Sequence, residues 1–349
     1  MNLDKITRAN VKAMKAYSSA RDEYISDGSQ MVFLDANENP FDASSKGLNR
    51  YPDPLQRELK THIASLKKIT TQQILLGNGS DEVLDLIFRA FCEPSIDHIM
   101  TFPPTYGMYK VLANLNAVGN KEILLKKDFE LDVEKILSEI SSTTKLIFVC
   151  SPNNPSGNDI NTNSIKKILD NFNGIVIIDE AYIDFSEQKS WISELDNYPN
   201  LIVSQTLSKA YGLAGIRLGM CFASKEIITI LNKIKPPYNI NVISQKKALE
   251  KLQSPKLIQK EIDTILTERK KLVSALQKVS YVEKIYPSST NFVLIKVDNA
   301  LKKYEELLSK GFVVRNRSTQ ALCENTLRIS VGTPQENQKL IDILKNLEN

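Results

Sequence analysis

The sequence predicts an α/β protein with a large domain, in which helices flank a mostly parallel β-sheet, and a smaller α+β domain. Apolar β-branched segments alternate with helical patterns from about residue 45 to 245 of the 349-residue chain. The run Lys-Pro-Pro-Tyr-Asn-Ile-Asn at 235–241 interrupts this alternation, and one long helical pattern follows from about Ser244 to Ser280. We therefore predict an amino-terminal arm that contributes to the small domain (1–44), a large domain (45–245) and a small domain (246–349).

The clearest strand of the large domain is the run of four β-branched apolar residues at 175–178. Such a run is typical of a strand buried on both faces of a parallel sheet. Asp179 follows at its carboxyl end, where open α/β sheets bind ligands. Its carboxylate either binds a ligand or caps a following helix, and the spacing alone does not decide between these roles. Tyr182 lies three residues further on.

A second apolar strand, at 201–203, leads through hydroxyl residues to Ser208 and Lys209, and Arg217 follows eight positions later. A desolvated lysine has a lowered pKa and an amine that is nucleophilic toward an aldehyde. A hydroxyl and an arginine are suited to binding a phosphate. Pyridoxal phosphate is an aldehyde that also carries a phosphate. Taken alone, however, a Ser-Lys pair is more often an ordinary solvated charge.

Two further turns are candidate ligand-binding segments. The strand at 145–149 ends in a segment rich in Pro, Asn and Gly, which places Asn154 near the same edge of the sheet as Tyr182. The turn 77–80, Gly-Asn-Gly-Ser, precedes a helical pattern, so that free backbone N–H groups would point at an anion. Most turns of either composition bind nothing, and each is weak evidence by itself.

Together these segments resemble the fold-type-I pyridoxal-phosphate-dependent aminotransferases, and among them the branch that acts on histidinol phosphate. The resemblance runs in matching order along most of the chain. Besides the segments above, it is carried by LDANENP (34–40), RYPDP (50–54), GNGSDE (77–82), FPPTYGMY (102–109) and LRISVG (327–332). It implies a cytoplasmic homodimer of histidine biosynthesis that exchanges an amino group between histidinol phosphate and 2-oxoglutarate, giving imidazole acetol phosphate and glutamate.

The resemblance also implies a role for each site residue. Lys209 binds the aldehyde of pyridoxal phosphate covalently and moves a proton, and Asp179 pairs with the pyridine nitrogen. Asn154 and Tyr182 hydrogen-bond the ring oxygen, and Tyr106 stacks on the ring. The cofactor phosphate is bound by Ser80, Asp81, Ser208 and Arg217, and by Tyr51 from the neighbouring subunit. The substrate is bound by Tyr17, Asn37, Arg315 and Arg328.

The substrate residues have alternatives on the sequence. Arg328 lies in an alternating strand, on the face opposite to Leu327 and Ile329, and could be an ordinary solvent-facing arginine. Arg315 and Arg317 are both candidates for the second arginine. Arg315 has the family's spacing of thirteen residues before Arg328, and we prefer it. Tyr17 belongs to the amino-terminal arm, which we expect to fold over the site when substrate is present.

Composition favours a soluble enzyme. The net charge of +4 is spread along the chain and does not indicate nucleic-acid binding. The four cysteines lack metal-ligand spacing, so we predict buried free thiols and no metal, and both histidines are assigned structural roles. Neither a bilayer-spanning run nor a signal peptide is found, and we expect a cytoplasmic protein.

Two other functional classes remain open on the sequence. Related pyridoxal enzymes, such as threonine-phosphate decarboxylases or aromatic amino-acid aminotransferases, could use the same lysine and aspartate. A transcription regulator with a borrowed aminotransferase domain would need a DNA-binding module. We expect none, because only about 30 residues precede Leu34.

Overall fold

The computed structural model describes residues 2–17, 31–42 and 47–347. The α-helices are α1 (Leu3–Ile6), α2 (Ala9–Ala13), α3 (Arg57–Lys67), α4 (Ser80–Phe91), α5 (Met108–Leu115), α6 (Val133–Ser138), α7 (Thr162–Asn171), α8 (Lys225–Ile234), α9 (Val242–Leu252), α10 (Pro255–Leu276), α11 (Ala300–Ser309) and α12 (Pro334–Asn346). The strands are β1 (Ile74–Asn78), β2 (His98–Thr101), β3 (Gly119–Glu122), β4 (Thr144–Cys150), β5 (Ile175–Asp179), β6 (Leu201–Thr206), β7 (Leu218–Ala223), β8 (Val282–Ile285), β9 (Phe292–Val297), β10 (Arg315–Asn316) and β11 (Thr326–Ser330). The predicted α/β fold is confirmed.

The larger sheet has seven strands in the order β1-β7-β6-β5-β4-β2-β3. Only β7 runs antiparallel to its neighbours, β1 and β6. Asp179 pairs with Cys150 on one side and with Ser204 on the other, so that β4, β5 and β6 reach the same edge together. Because β7 is reversed, its amino end lies at that edge too.

Burial on both faces explains the apolar run of β5. Ile175 and Ile177 join a core with α4, α5 and α8, whereas Val176 and Ile178 join the core on the opposite face, which includes α7. Successive strand residues point to opposite faces, so a strand between two helical layers needs apolar residues at every position.

The smaller sheet is antiparallel, in the order β10-β11-β9-β8. One of its faces packs on α10, α11 and α12. Alternate residues of β11, Leu327 and Ile329, lie in this core with Leu272 of α10 and Leu340 of α12. Arg328 lies between Leu327 and Ile329 and must therefore point to the other face of the sheet.

One detail of the predicted layout is wrong, and another stays a prediction. The single helix expected over 244–280 is two helices, because Pro255 lacks the N–H that a helix interior requires and instead begins α10. Residues 2–13 of the arm pack on the helices of the large sheet, and the contribution of the arm to the small domain stays a prediction. Ile6 enters the core beside α4, and Arg8 N donates to Ala90 O at 3.0 Å.

The remaining domain boundaries stay predictions, and residues 18–30 and 43–44 of the arm lie outside the described residues. In the part of the chain that the structure describes, no helix combines the length and apolarity needed to cross a bilayer.

Candidate active site

A cavity of about 550 Å³ opens at the carboxyl edge of the large sheet and extends to β10 and β11 of the small one. Most of the predicted site residues line it. They are Ser80, Asp81, Tyr106, Asn154, Asp179, Tyr182, Ser208, Lys209, Arg217, Arg315 and Arg328.

Lys209 follows β6 and is half-buried in this cavity. Its Nζ lies 5.6 Å from the centre of the Tyr182 ring. Burial, followed by the charge of Arg328, lowers the pKa of Lys209 below its ordinary value. A lowered pKa leaves more of the amine neutral, and the neutral amine is the nucleophile.

Asp179 is buried at the end of β5 and accepts hydrogen bonds from Tyr109 Oη at 2.7 Å and Ala181 N at 3.2 Å. The element that directly follows β5 is a short 3₁₀ turn and not an α-helix, and its N-cap is Tyr182. The helix-capping alternative is therefore wrong. Burial raises the pKa of Asp179 to about 6 despite the hydrogen bond from Tyr109, so that a cation beside this carboxylate would be strongly favoured.

An anion-binding turn lies at the start of α4. Gly79 has φ +83°, and a Cβ there would come within 2.5 Å of Arg217 Nη2. A Cβ on Gly219 of β7 would come within 2.1 Å of Ser80 N. The positive φ at Gly79 and the close backbone approach at Gly219 favour glycine, and Arg217, which precedes β7, lies beside this turn.

Side chains around this turn are hydrogen-bonded to one another. Arg217 Nη2 lies 3.5 Å from Asp81 Oδ2, and Tyr106 Oη donates to Asp81 Oδ1 at 3.1 Å. Thr206 Oγ1 donates to Ser208 Oγ at 3.0 Å and accepts from Ser208 N at 3.1 Å. The structure thus adds Thr206, which the sequence analysis did not single out.

The segment 235–241 is connected to the same turn by hydrogen bonds. Glu82 accepts from Asn78 N within the turn and from Asn239 Nδ2 at 2.8 Å. Asn239 Oδ1 accepts in turn from the buried Lys235 Nζ at 3.1 Å. This network joins residues more than 150 positions apart, and no spacing in the sequence indicated it.

Arg328 points from β11 into the cavity, and its Nη1 donates to Asn154 Oδ1. Its guanidinium carbon lies 5.1 Å from the centre of the Phe292 ring, and its buried Nε has no hydrogen-bond partner among the described residues. It is therefore not an ordinary solvent-facing strand arginine. Arg315 lies directly opposite Arg328 in the β10–β11 register. Arg317, the alternative to Arg315 on the sequence, also lines the cavity, as does Gln320, which was not among the predicted site residues.

Three predicted site residues lie away from this cavity. Tyr17 is 73% exposed and lies near Lys233 and Pro236. Asn37 and Tyr51 line a separate cavity of about 500 Å³, where the Tyr51 ring stacks on Tyr238 at 4.4 Å. Their roles in substrate and cofactor binding stay predictions.

The cysteines and one histidine behave as expected of structural residues. All four cysteines are buried and free, as predicted. His98 is hydrogen-bonded to Thr143 and Thr144 through its two ring nitrogens. Across residues 2–17, 31–42 and 47–347, no group of acidic, histidine and cysteine side chains could hold a metal ion.

The family model for class I and II aminotransferases matches residues 23–344 of the chain. The chain belongs to this family. It is 57% identical to the histidinol-phosphate aminotransferase of Flavobacterium johnsoniae over 99% of each chain. Among solved structures, the histidinol-phosphate aminotransferase of Clostridium acetobutylicum matches with a TM-score of 0.81 and 28% identity, over 87% of this chain and 92% of that one.

Another solved relative was determined with pyridoxal-5'-phosphate, the histidinol-phosphate aminotransferase of Sinorhizobium meliloti. Its TM-score is 0.80 at 22% identity, over 87% of this chain and 84% of that one. Pyridoxal phosphate is the cofactor of the present chain, and the donor set fits it. The glycine-lined turn with Arg217 suits a phosphate, the carboxylate of Asp179 suits a protonated ring nitrogen, and the amine of Lys209 suits an aldehyde.

Replacing Tyr109 by phenylalanine should raise the pKa of Asp179 further, because the variant loses a hydrogen bond that favours the carboxylate. We expect the acidic limb of the pH profile of kcat/KM to move to higher pH. Phenylalanine keeps the stacking on Phe148, at 4.9 Å between ring centres, so the packing is matched. Superimposable pH profiles for the two proteins would contradict this role of Tyr109.

Proposed function

We propose that the protein transfers the amino group of histidinol phosphate to 2-oxoglutarate, as a homodimer in the cytoplasm and as a step of histidine biosynthesis. The observation that carries the proposal is the 57% identity, over 99% of each chain, to a protein named histidinol-phosphate aminotransferase. The cluster of arginines beside Lys209 supports it, because a phosphorylated substrate requires fixed positive charge.

Bound pyridoxal phosphate supplies an aldehyde that combines with amines and a ring that accepts electrons. The chain's own residues supply the rest. Lys209 Nζ would hold the cofactor through its aldehyde and would carry the proton to and from the reacting carbon. Asp179 keeps the ring nitrogen protonated, and the buried Tyr109 hydroxyl holds Asp179 in place.

The phosphate of the cofactor is assigned to the turn at Gly79 and Ser80 with Arg217, and Asn154 and Tyr182 are assigned to its ring oxygen. Asn154 also accepts from Arg328, so one amide side chain would connect the cofactor with the substrate side of the cavity. A substrate whose phosphate binds Arg328 would thereby be held at a fixed distance from the cofactor ring. Fixed positioning of this kind lowers the barrier to reaction.

The test uses purified holoenzyme with histidinol phosphate and 2-oxoglutarate, and quantifies imidazole acetol phosphate and glutamate. Stoichiometric formation of both supports the proposal. Parallel reactions contain phenylalanine, tyrosine or threonine phosphate as the amine. Release of CO₂ from threonine phosphate would instead favour the decarboxylase alternative, and preferred turnover of phenylalanine or tyrosine would favour an aromatic amino-acid aminotransferase.

The dimer is tested separately. Tyr51 is about half exposed on this chain and lies outside the Lys209 cavity, as a residue that serves the neighbouring subunit would. Light scattering should give twice the chain mass. Mixed dimers of a Tyr51→Ala chain and a Lys209→Ala chain then show which site Tyr51 serves. If Tyr51 serves the neighbouring subunit, one site of each mixed dimer carries neither change and is active. If Tyr51 serves its own subunit, each site carries one of the two changes.

Replacing Arg328 by alanine should raise KM for histidinol phosphate strongly and affect an unphosphorylated aromatic amine, histidinol, much less. Losing one partner of a desolvated charge pair costs about 2–5 kcal/mol, and histidinol never makes the phosphate contact. Histidinol phosphate has no α-carboxylate, so a carboxylate-binding role of Arg328 is tested in parallel with glutamate. An equal loss in kcat/KM for histidinol and histidinol phosphate would contradict phosphate selection by Arg328.

A further inference from the structure

Three arginines point to the same face of the β10–β11 ladder. Arg315 and Arg328 are directly opposite each other, and directly opposite residues of an antiparallel pair share a face. The chain stays extended and paired beyond β10, because Arg317 N donates to Thr326 O at 2.9 Å. Residues two apart on an extended chain share a face, so Arg317 joins Arg315 and Arg328 on the cavity side.

This arrangement is unfavourable without an anion. Like charges directly opposite each other on a ladder destabilise it. Burial, and next the charges of Arg328 and Arg315, lower the pKa of Arg317. Burial likewise lowers the pKa of Arg328. None of the ion pairs found among the described residues neutralises any of the three guanidinium groups.

Three buried side-chain atoms in and beside the adjoining turn lack partners among the described residues. Within the described chain, Arg317 Nε, Ser318 Oγ and Gln320 Oε1 are buried and form no hydrogen bond. The backbone of the turn is nevertheless well held, since Ser318 N donates to Asn316 Oδ1 at 2.9 Å. Buried polar groups in native proteins are normally satisfied, and the unsatisfied atoms of Arg317 and Gln320, which both line the cavity, are available to bind a ligand.

We propose that Arg317 is a third phosphate-binding arginine, which selects a dianionic phosphate monoester over a carboxylate at the substrate end of the cavity. The inference rests on the proposed function and deepens it. Arg217, which pairs with Asp81 at the start of α4, is assigned to the cofactor phosphate, so that Arg315, Arg317 and Arg328 remain for the substrate. Two arginines suffice for a carboxylate, whereas a dianion with three free oxygens can accept from a third.

The decisive experiment compares Arg317→Gln with wild type in the two half-reactions, which start from histidinol phosphate and from glutamate. We expect kcat/KM for histidinol phosphate to fall about 10- to 100-fold, through KM, and that for glutamate to change less than about threefold. Thr319→Ala, an exposed change in the same turn, is the matched control and should alter neither. Equal losses for both amines would mean that Arg317 only holds the turn, and no loss would mean that it does not contact substrate.

A second measurement separates this inference from the proposed function. Inorganic phosphate should compete with glutamate in wild type, and Arg317→Gln should weaken that inhibition about tenfold or more. If wild type fails to transaminate histidinol phosphate, the proposed function is wrong, but weaker phosphate inhibition in the variant would still support an anion site at Arg317. Unchanged phosphate inhibition together with unchanged histidinol phosphate kinetics would overturn it.

Discussion

Replacing Lys209 by alanine is expected to reduce kcat below about 1% of wild type, because general acid–base catalysis alone contributes about 10²- to 10⁴-fold. The variant loses the amine that we propose holds the cofactor and moves the proton. Cofactor binding should persist, because the turn at Gly79 with Arg217 does not depend on Lys209. The two effects can therefore be measured independently.

Borohydride treatment followed by mass spectrometry gives a readout besides activity. Wild type should carry the reduced cofactor on the peptide that contains Lys209, and Lys209→Ala should carry none while retaining dialysable pyridoxal phosphate. Lys225→Ala, at an exposed lysine, is the control for loss of a positive charge. Turnover above about 1% in Lys209→Ala, or labelling of another lysine, would contradict the assignment.

The strands that carry the site were predictable because burial on both faces demands unbroken apolar runs. The run at 175–178 has this pattern and β5 ends on the polar residue that follows it, whereas β6 continues beyond its apolar run at 201–203 through polar residues to Thr206. Strand direction was not predictable in this way. Nothing in Leu218–Ala223 indicates that β7 is reversed, and it is this reversal that brings Arg217 to the shared edge.

Contacts between distant segments of the chain could not be predicted from the sequence either. The hydroxyl of Tyr109 reaches Asp179 from α5, and a tyrosine on an apolar helix face has no periodicity that distinguishes a hydrogen-bonding role from plain packing. The preference for Arg315 over Arg317 rested on family spacing alone. The ladder register shows that both share a face with Arg328, which depends on pairing and not on spacing.

The titration of the Asp179 carboxylate should also make the free energy of unfolding of the cofactor-free protein depend on pH. Its folded pKa of about 6 lies above its ordinary value of 3.8, so that the folded state binds more protons than the unfolded state between these values. The free energy of unfolding should then fall as pH rises from about 4 to 6, by about 3 kcal/mol from this group. Asp179→Asn should lack this contribution, which urea denaturation at several pH values would measure.

In the holoenzyme, by contrast, we expect Asp179→Asn to remove a favourable interaction. A cationic ring beside Asp179 compensates the cost of its buried charge, and removing one partner of a buried pair costs about 3–5 kcal/mol. If the carboxylate keeps the ring nitrogen protonated, this cost falls on the reaction more than on binding, because an unprotonated ring is a poor electron acceptor. We expect Asp179→Asn to reduce the half-reaction rate about 10²- to 10³-fold, with a much smaller change in cofactor affinity.

Glu180→Gln is the matched control for this change. Glu180 is the adjacent buried acid, but its carboxylate accepts from Ser190 Oγ, Trp191 N and Gln205 Nε2 and does not line the cavity. Its replacement should alter stability and leave the half-reaction rate within a few-fold of wild type. Equal rates for Asp179→Asn and wild type would show that the carboxylate serves only the local fold. Equal losses in the Asp179 and Glu180 variants would show that any buried acid at this strand end matters through stability, not through the cofactor.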